Sequence, residues 1–380
     1  MSENGRLRLA LLFGGRSGEH EVSIMSARSV LRALDPERYR VFPIAITRHG
    51  RWYTGSDPAA AMDALAAGRV DELDPVAVIP QPGHPDNPPI DVAFPLLHGP
   101  LGEDGTIQSI FELAEIPYVG AGVATSAVGM DKELMKAAFR AAGLPVVAYR
   151  VVRRSEWQQD PGAVTRAVAE HPGFPAFVKP ANLGSSVGVN PASNAEELAR
   201  ALEEAFAYDR KALVEASAAP LKEVECSVLG IDRPEVSVPG EVRPGRAFYD
   251  YTAKYLDTTT GLVVPAELDP EVAERVRDLA AKCFQAVDCA GMARVDFFVK
   301  PDGQVFVNEI NTIPGFTAVS MYPRLWEASG LPYPSLIDRL VEIALEVHRT
   351  RLEIRAAHAS YAPGAQGGVA PRPKSSGRAG

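Results

Sequence analysis

Cysteine is scarce in this chain of 380 residues, which contains only Cys226, Cys283 and Cys289. The number is odd and no two of them form a Cys-x-x-Cys pair, so the pattern argues against a disulfide framework and against a zinc site. Disulfide-rich scaffolds belong to oxidising compartments, and the lack of such a scaffold predicts a cytoplasmic protein.

Basic blocks and long apolar runs are also missing. The formal net charge is −9, and because a phosphate backbone requires a concentrated basic surface, we expect no nucleic-acid partner. No run approaches the ~18 apolar residues of a membrane span, so we expect no membrane association. The first apolar run, residues 9–13, is short and lacks a small-residue cleavage site, which indicates a buried strand rather than a signal peptide.

The chain opens with a predicted strand (7–13), a Gly14-Gly15 turn and a helix (22–34). This order is typical of an α/β domain with a ligand site at the carboxyl end of the strand. The two glycines do not complete a Gly-x-Gly-x-x-Gly motif, so a dinucleotide site is not favoured. Since a single domain rarely reaches this length, the chain is expected to form two or three domains.

A second glycine-rich segment, residues 184–188, lies between two predicted strands. It is not the common phosphate-binding loop, because Lys179 precedes it on a strand and no helix follows directly. Backbone N–H groups and serine hydroxyls on such a loop can still cover phosphates.

Residues 291–315 predict a β-hairpin, since two apolar runs flank a turn at 300–303. Side chains two apart on a strand share a face, so Arg294 lies with Asp296, and Glu309 lies with Asn311. We expect an even-residue turn that places both pairs on one face, with opposed Cβ atoms about 5 Å apart. Two carboxylates so close repel each other, and a divalent cation such as Mg²⁺, which prefers oxygen ligands, removes the conflict. The alternative is an ordinary solvated hairpin face.

Two further residues have two interpretations each. Glu19 begins a helix, where a carboxylate is favoured by the helix dipole, or it accepts a hydrogen bond from the ammonium group of a ligand. His98 begins a glycine-rich segment at the end of a predicted strand, where it is either a structural hydrogen-bonding residue or part of a functional loop.

The remaining pattern predicts a helix at 126–142, with Asp131-Lys132 in its first turns, and a C-terminal helix at 333–348. It also predicts a long functional loop at 245–261, a second loop at 316–323 and a disordered tail at 357–380.

Seven motifs occur in an order and spacing that resemble the D-alanine–D-alanine ligases of the ATP-grasp superfamily, from about residue 7 to residue 348. They are GGRSGEHEVS at 14–23, HG…GEDG at 98–105, MDK at 130–132, KP…GSSVG at 179–188, FYDYTAKY at 248–255, RVD at 294–296 and NEINTIPG at 308–315.

The resemblance implies an α/β fold of the α+β ATP-grasp type. An N-terminal α/β domain would span residues 1–125, a central ATP-grasp subdomain 126–216 and a C-terminal ATP-grasp domain 217–356. ATP would lie between the last two, and the family suggests a homodimer. Residues 55–88 are longer and richer in proline than the family requires.

The resemblance also implies a reaction. ATP phosphorylates the carboxylate of one D-alanine, the amine of a second attacks the acyl phosphate, and D-alanyl-D-alanine leaves for peptidoglycan synthesis. Asp296, Glu309 and Asn311 would hold two Mg²⁺ ions, for which Mn²⁺ can substitute. The other implied ATP contacts are phosphate contacts from Lys132, Lys179 and Lys254, cover by the loop with Ser185 and Ser186, adenine at Glu215 and ribose at Glu223.

For the amino-acid substrates, the resemblance implies that Glu19 anchors the first ammonium group beside His98, while Arg294 and the backbone N–H of Gly315 stabilise the oxyanion. Ser320 and the backbone of Met321 would bind the second carboxylate. Ser185 and Tyr255 would hold the long loop over the site with Glu19 as their partner. A tyrosine at 255 favours D-alanine over D-lactate or D-serine as the second substrate. The alternatives are a D-alanine–D-lactate ligase, a regulatory nucleotide-binding module without turnover and a hydride-transferring Rossmann enzyme.

Overall fold

A computed structural model describes residues 5–76, 90–184, 187–219, 221–243 and 261–361, with side chains to residue 357. Within them lie three β-sheets that follow one another along the chain, each with its own helices. The predicted mixed α/β class is confirmed. Most of the loop predicted at 245–261 and all of the tail beyond residue 361 lie outside the described residues.

The first sheet has five strands in the order β4-β3-β2-β1-β5, with β1 parallel to both of its neighbours. Its strands are β1 Leu7–Gly14, β2 Tyr39–Ile46, β3 Trp52–Thr54, β4 Asp74–Pro75 and β5 Val92–Pro95, and its helices are α1 His20–Ala33, α2 Pro58–Ala66 and α3 Thr106–Leu113. Residues 9–14 of β1 are all buried, which explains their apolar sequence. Gly14 has a φ of +91°, and an added Cβ would meet the Ile46 carbonyl oxygen at 2.2 Å, so the turn after β1 requires glycine.

Two helices, α4 Val123–Met130 and α5 Lys132–Ala141, occupy the segment where the sequence predicted one. The prediction is wrong because Asp131 is extended (φ −90°, ψ 104°) and caps α5 by accepting hydrogen bonds from the Glu133 and Leu134 amides at 3.0 and 3.2 Å. Aspartate favours caps over helix interiors for this reason. Buried Lys211 donates to the same carboxylate at 2.5 Å and ties α5 to the second sheet.

The second sheet is antiparallel, in the order β6-β9-β7-β8. Its elements are β6 Tyr149–Arg153, α6 Arg154–Gln159, α7 Pro161–Glu170, β7 Ala176–Pro180, β8 Asn190–Ala192, α8 Ala195–Ala205 and β9 Lys211–Ala216. Val178 and Val214 pack with Leu198 and Leu202 of α8 on one face. Because side chains alternate, Lys179 and Glu215 lie on the opposite face.

The third sheet is antiparallel, in the order β13-β12-β10-β14-β15 with β11 beside β10. Its elements are β10 Lys222–Gly230, β11 Glu235–Val236, β12 Gly240–Arg243, β13 Gly261–Val263, α9 Pro270–Ala286, β14 Gly291–Val299 and β15 Val305–Asn311. Helix α5 packs here rather than on the second sheet, since Met135 and Phe139 share a core with Phe284, Val295 and Val307.

The C-terminal segment departs from prediction in two places. Helix α10, Met321–Ala328, begins inside the predicted loop 316–323, and α11, Tyr333–Tyr361, continues past both the predicted helix end at His348 and the predicted start of the tail. Leu336 and Leu340 of α11 share a core with Leu9 and Phe94 of the first sheet. The C-terminal helix therefore joins the N-terminal sheet to the third one. Within the described ranges, we find no helix with the length and apolarity that crossing a bilayer demands.

Candidate active site

The hairpin of β14 and β15 brings the predicted polar residues together. Arg294 lies directly opposite Asn311, and Asp296 lies directly opposite Glu309. The apolar side chains of Val295, Phe297, Val305, Val307 and Ile310 are all buried in the core beneath. The predicted shared face is confirmed.

The reason given for that shared face is wrong. The turn has five residues, 300–304, closed by hydrogen bonds from the Lys300 amide to the Gln304 carbonyl at 2.8 Å and from the Gly303 amide to the Lys300 carbonyl at 2.9 Å. An odd turn alone would place Asn308 opposite Asp296. The register shifts between Asp296 and Phe297, so Asn308 is the extra residue of a β-bulge. The bulge turns Glu309 toward Asp296.

Glu225 completes a row of three carboxylates that sequence reasoning missed. It lies on β10 directly opposite Asp296, on the side away from Glu309. Arg294 donates two hydrogen bonds to Asp296, at 2.7 and 2.6 Å, and its Nε lies 3.0 Å from the Glu225 carboxylate. Burial lowers the pKa of Arg294, but Asp296 and Glu225 outweigh that effect and hold it well above its usual value. Alternation along β10, with glutamates at 223 and 225, was the available signal.

The donor set fits a hard divalent cation. Asp296, Glu309 and Asn311 offer only oxygen ligands, which Mg²⁺ and Mn²⁺ accept. Arg294 takes one lone pair from each oxygen of Asp296 and leaves others for a cation. In the described part of the chain, no three His, Cys, Asp or Glu residues form a metal cluster. The predicted set has two carboxylates and an amide, so this finding does not bear on it.

Buried and partly buried lysines approach the hairpin from the second sheet and from α5. Lys179 and Lys136 lie 2.5 and 2.8 Å from the two oxygens of Glu215, which is 2% exposed. Lys179 also donates to the side chain of Asn308 at 3.4 Å. Lys132 donates to the Leu183 carbonyl at 2.5 Å and lies 4.0 Å from Glu309. Two of the three predicted phosphate lysines thus converge on the hairpin, and they are joined by Lys136, which the sequence did not single out.

A cleft of about 570 Å³ opens between α1, the third sheet and the start of α10. Eight of the predicted residues line it: Glu19, His98, Arg294, Glu309, Asn311, Gly315, Ser320 and Met321. Four charged residues that were not predicted line it too: Arg28, Arg32, Glu103 and Glu225. Residues distant in sequence therefore share one cavity.

His98 makes the contacts of the structural alternative while lining the cleft. It is 3% exposed, its Nδ1 lies 2.9 Å from the Ile313 carbonyl and its Nε2 lies 3.1 Å from Ser26 Oγ. Ser26 in turn accepts a hydrogen bond from the Phe316 amide at 3.4 Å. Burial lowers the pKa of His98, but Glu103, 3.8 Å away, and Glu19 outweigh it and raise that pKa. His98 thus links the first sheet to the segment after β15.

Glu19 and Ser320 stand at helix starts on two sides of the cleft. Glu19 precedes α1, and its side chain makes no capping hydrogen bond to that helix. Ser320 precedes α10 and accepts a hydrogen bond from the Thr317 amide at 3.1 Å. The start of α10 at Ser320 favours a carboxylate ligand, whereas at the start of α1 the negative charge of Glu19 favours an ammonium group.

Four predicted residues, Ser185, Ser186, Lys254 and Tyr255, lie outside the described residues. Glu223 lies on β10 and is partly buried, and Glu215 is engaged by two lysines. Their roles at the ribose and the adenine stay predictions.

Two family models match the chain. Residues 8–121 match the family model described as the D-ala D-ala ligase N-terminus, and residues 138–342 match the one described as the D-ala D-ala ligase C-terminus.

Individual relatives agree with the family models. The D-alanine–D-alanine ligase of Bacillus cytotoxicus is 46% identical, covering 92% of this chain and 99% of that one. The structure of the D-alanine–D-alanine ligase from Coxiella burnetii is 37% identical with a TM-score of 0.83, covering 94% and 99% of the two chains. The D-Ala:D-Ser ligase VanG from Enterococcus faecalis is 34% identical with a TM-score of 0.80, covering 89% and 99%.

The buried lysine–glutamate cluster predicts a specific acid dependence. Burial raises the pKa of Glu215, but Lys136 and Lys179 outweigh it and lower that pKa to about 2 from 4.5. The resulting stabilisation is present above about pH 4.5 and is lost as pH falls toward about 2. Between about pH 4.5 and pH 2, the free energy of unfolding of the wild type should fall by roughly 3 kcal/mol because of Glu215. Glu215→Gln should lose this part of the pH dependence, which urea denaturation at each pH measures. Glu204→Gln, at an exposed position, is the control. If Glu215→Gln left the pH dependence of the free energy of unfolding unchanged, the pairing of Glu215 with Lys136 and Lys179 would be contradicted.

Proposed function

The chain belongs to the D-alanine–D-alanine ligase family, and from that premise we propose that it joins two D-alanine molecules at this cleft. ATP phosphorylates the carboxylate of the first D-alanine, and the amine of the second attacks the acyl phosphate. ADP, phosphate and D-alanyl-D-alanine, a peptidoglycan precursor, are the products. The homologues' ATP-dependent, ADP-forming ligase class supports this reaction.

One observation carries the proposal: a single cavity contains a carboxylate for an amine, an arginine, a helix start and the carboxylate-bearing hairpin. A ligation of two amino acids requires these groups together, because the two substrates must meet beside the phosphate donor. Neither a regulatory nucleotide-binding module nor a hydride-transferring enzyme would need such a set.

We assign the cation site to Asp296, Glu309 and Asn311, with two Mg²⁺ ions, or Mn²⁺ in their place. When bound, the cations would neutralise phosphate charge during transfer. The fit of the oxygen donors and the nearby Lys132 and Lys179 support this assignment. Both lysine side chains point toward the hairpin and suit the ATP phosphates.

Arg294 is assigned to the oxyanion of the ligation step. Asp296 and Glu225 hold its guanidinium in a fixed position against the cleft, so it is preorganised to donate as negative charge develops. The backbone N–H of Gly315 would donate from the same cavity. Ser320 and Met321 would receive the second carboxylate, while Glu19 would hold the first ammonium group beside His98.

Homodimerisation and a cytoplasmic location complete the proposal. Both rest on the family resemblance and, for the location, on the cysteine pattern.

The substrate assignment is tested by competition. With ATP and Mg²⁺, phosphate release should require D-alanine, and D-alanyl-D-alanine should exceed mixed products when D-serine and D-lactate are present at equal concentration. Chromatography of the products measures the ratio. A predominance of the ester or of the D-serine product would overturn the assignment, and the absence of ADP formation with D-alanine would favour a module without turnover.

The cation assignment is tested by Glu309→Gln. Because the amide removes a negative ligand while keeping the side-chain shape, kcat should fall by more than about 100-fold with the unfolding midpoint nearly unchanged. Exposed Glu327→Gln is the matched control and should retain wild-type kcat. Near-normal turnover by Glu309→Gln would remove Glu309 from the site.

The role of Arg294 is tested by comparing turnover with ATP affinity. Arg294→Ala should lower kcat by a factor equivalent to about 2.7–4 kcal/mol, with a much smaller change in the dissociation constant for ATP. Arg294→Lys keeps the charge but not the fork of donors, so we expect an intermediate kcat. Weakened ATP binding with preserved kcat would place Arg294 in nucleotide binding instead.

A further inference from the structure

Lys136 of α5 has no role in the reaction proposed above, yet it is among the most buried charged residues described. It is 1% exposed, lies 2.8 Å from Glu215 and donates to the backbone carbonyl of Asn308 at 3.1 Å. Burial lowers its pKa, while Glu215 and Glu309 oppose that effect. The partners in Glu215 and Asn308 are both oxygens of the protein itself, so in this structure the ammonium group is engaged with the chain.

The contact with Asn308 falls on the extra residue of the bulge. An extra residue disrupts the ladder locally and leaves backbone groups that need other partners. Helix α5 supplies two of them from consecutive residues. Lys136 binds the Asn308 carbonyl, and the sulfur of Met135 accepts a hydrogen bond from the Ile310 amide at 3.4 Å.

The bulge decides which way Glu309 faces. Val305 and Val307 are buried before it and Ile310 is buried after it. The side chains that face the core are therefore at odd-numbered positions before Asn308 and at an even-numbered position after it. Without the extra residue, Glu309 would turn to the core and Ile310 to the cleft. Holding the bulge in place is therefore equivalent to holding Glu309 opposite Asp296.

We propose that Lys136, assisted by Met135, is a positioning residue that fixes the bulge at Asn308 and thereby orients Glu309 for a divalent cation. This inference rests on the cation assignment proposed above. The competing explanation is that Lys136 serves only to neutralise Glu215.

The experiment compares Lys136→Met with the wild type, using Mn²⁺ as the probe in the presence of saturating ADP. Methionine keeps the length of the side chain but removes the donor. Electron paramagnetic resonance should show a Mn²⁺ dissociation constant raised by about tenfold or more. Phe139→Leu, on the same helix and in the same core, controls for displacement of α5 and should leave Mn²⁺ affinity within about twofold of the wild type.

Hydrogen exchange separates the two explanations without any metal. In Lys136→Met, amides of residues 305–311 should exchange faster, because the bulge loses a partner. Faster exchange confined to residues 211–216, with wild-type Mn²⁺ affinity, would assign Lys136 to Glu215 alone and overturn the proposal.

Met135→Leu is a milder variant that preserves volume, so it tests the proposal even if Lys136→Met does not fold. It should raise the Mn²⁺ dissociation constant by about twofold to fivefold and speed exchange of the Ile310 amide. If the wild type itself binds no Mn²⁺ with ADP, the cation assignment fails. If the wild type binds Mn²⁺ and Met135→Leu has the same Mn²⁺ affinity and the same exchange rate at the Ile310 amide, the cation assignment stands and only the positioning role fails.

Discussion

Asp296 and Glu309 lie opposite each other on neighbouring strands, and the arrangement of the surrounding charges depends on this pair of carboxylates. With Glu225 they form a row of carboxylates across three strands, an arrangement that repulsion between like charges disfavours. Arg294 offsets part of this repulsion through its paired hydrogen bonds to Asp296 and its contact with Glu225. The cost of removing such charges from water means that they persist only where partners surround them. Three carboxylates and one guanidinium leave a surplus of negative charge at the hairpin, which is what the proposed cation site requires.

The position of the hairpin relative to the first sheet depends on polar contacts and on a shared core. His98 and Ser26 connect the first sheet to Ile313 and Phe316, directly after β15. Helix α11 adds apolar contact between the same two parts of the chain. Buried hydrogen bonds are directional, so they fix orientation where apolar packing alone would permit sliding. Glu19 and Arg294 are held on opposite sides of one cleft for this reason.

The sequence predicted much of this arrangement, and its failures have identifiable causes. The first strand, helix α1 and the facing pairs of the hairpin follow from apolar runs, helical spacing and alternation, which are local properties. The even turn was wrong, although the buried Val307 and Ile310, three apart on one strand, carry the signature of a bulge. Asp131 was placed inside a helix although aspartate is a common helix cap, and its other partner, Lys211, lies 80 residues away. Lys136 could not be recognised, since its significance comes from neighbours on other elements, whereas Glu225 was missed although its alternation with Glu223 along β10 was a usable signal.

The charged side chains around the hairpin form two sets of opposite sign, one of lysines on α5 and β7 and one of carboxylates on β10, β14 and β15. Lys132, Lys136 and Lys179 outnumber Glu215 by two, whereas Glu225, Asp296 and Glu309 outnumber Arg294 by two. These charged side chains therefore cancel, and a nucleoside triphosphate with two divalent cations also carries little net charge. Binding the two together adds little charge to a region of low dielectric, where an uncompensated charge is most costly. In the proposed site, binding ATP without cations would satisfy the lysines but leave the carboxylate row unpaired, so the presence of both charge sets would couple nucleotide binding to cation binding.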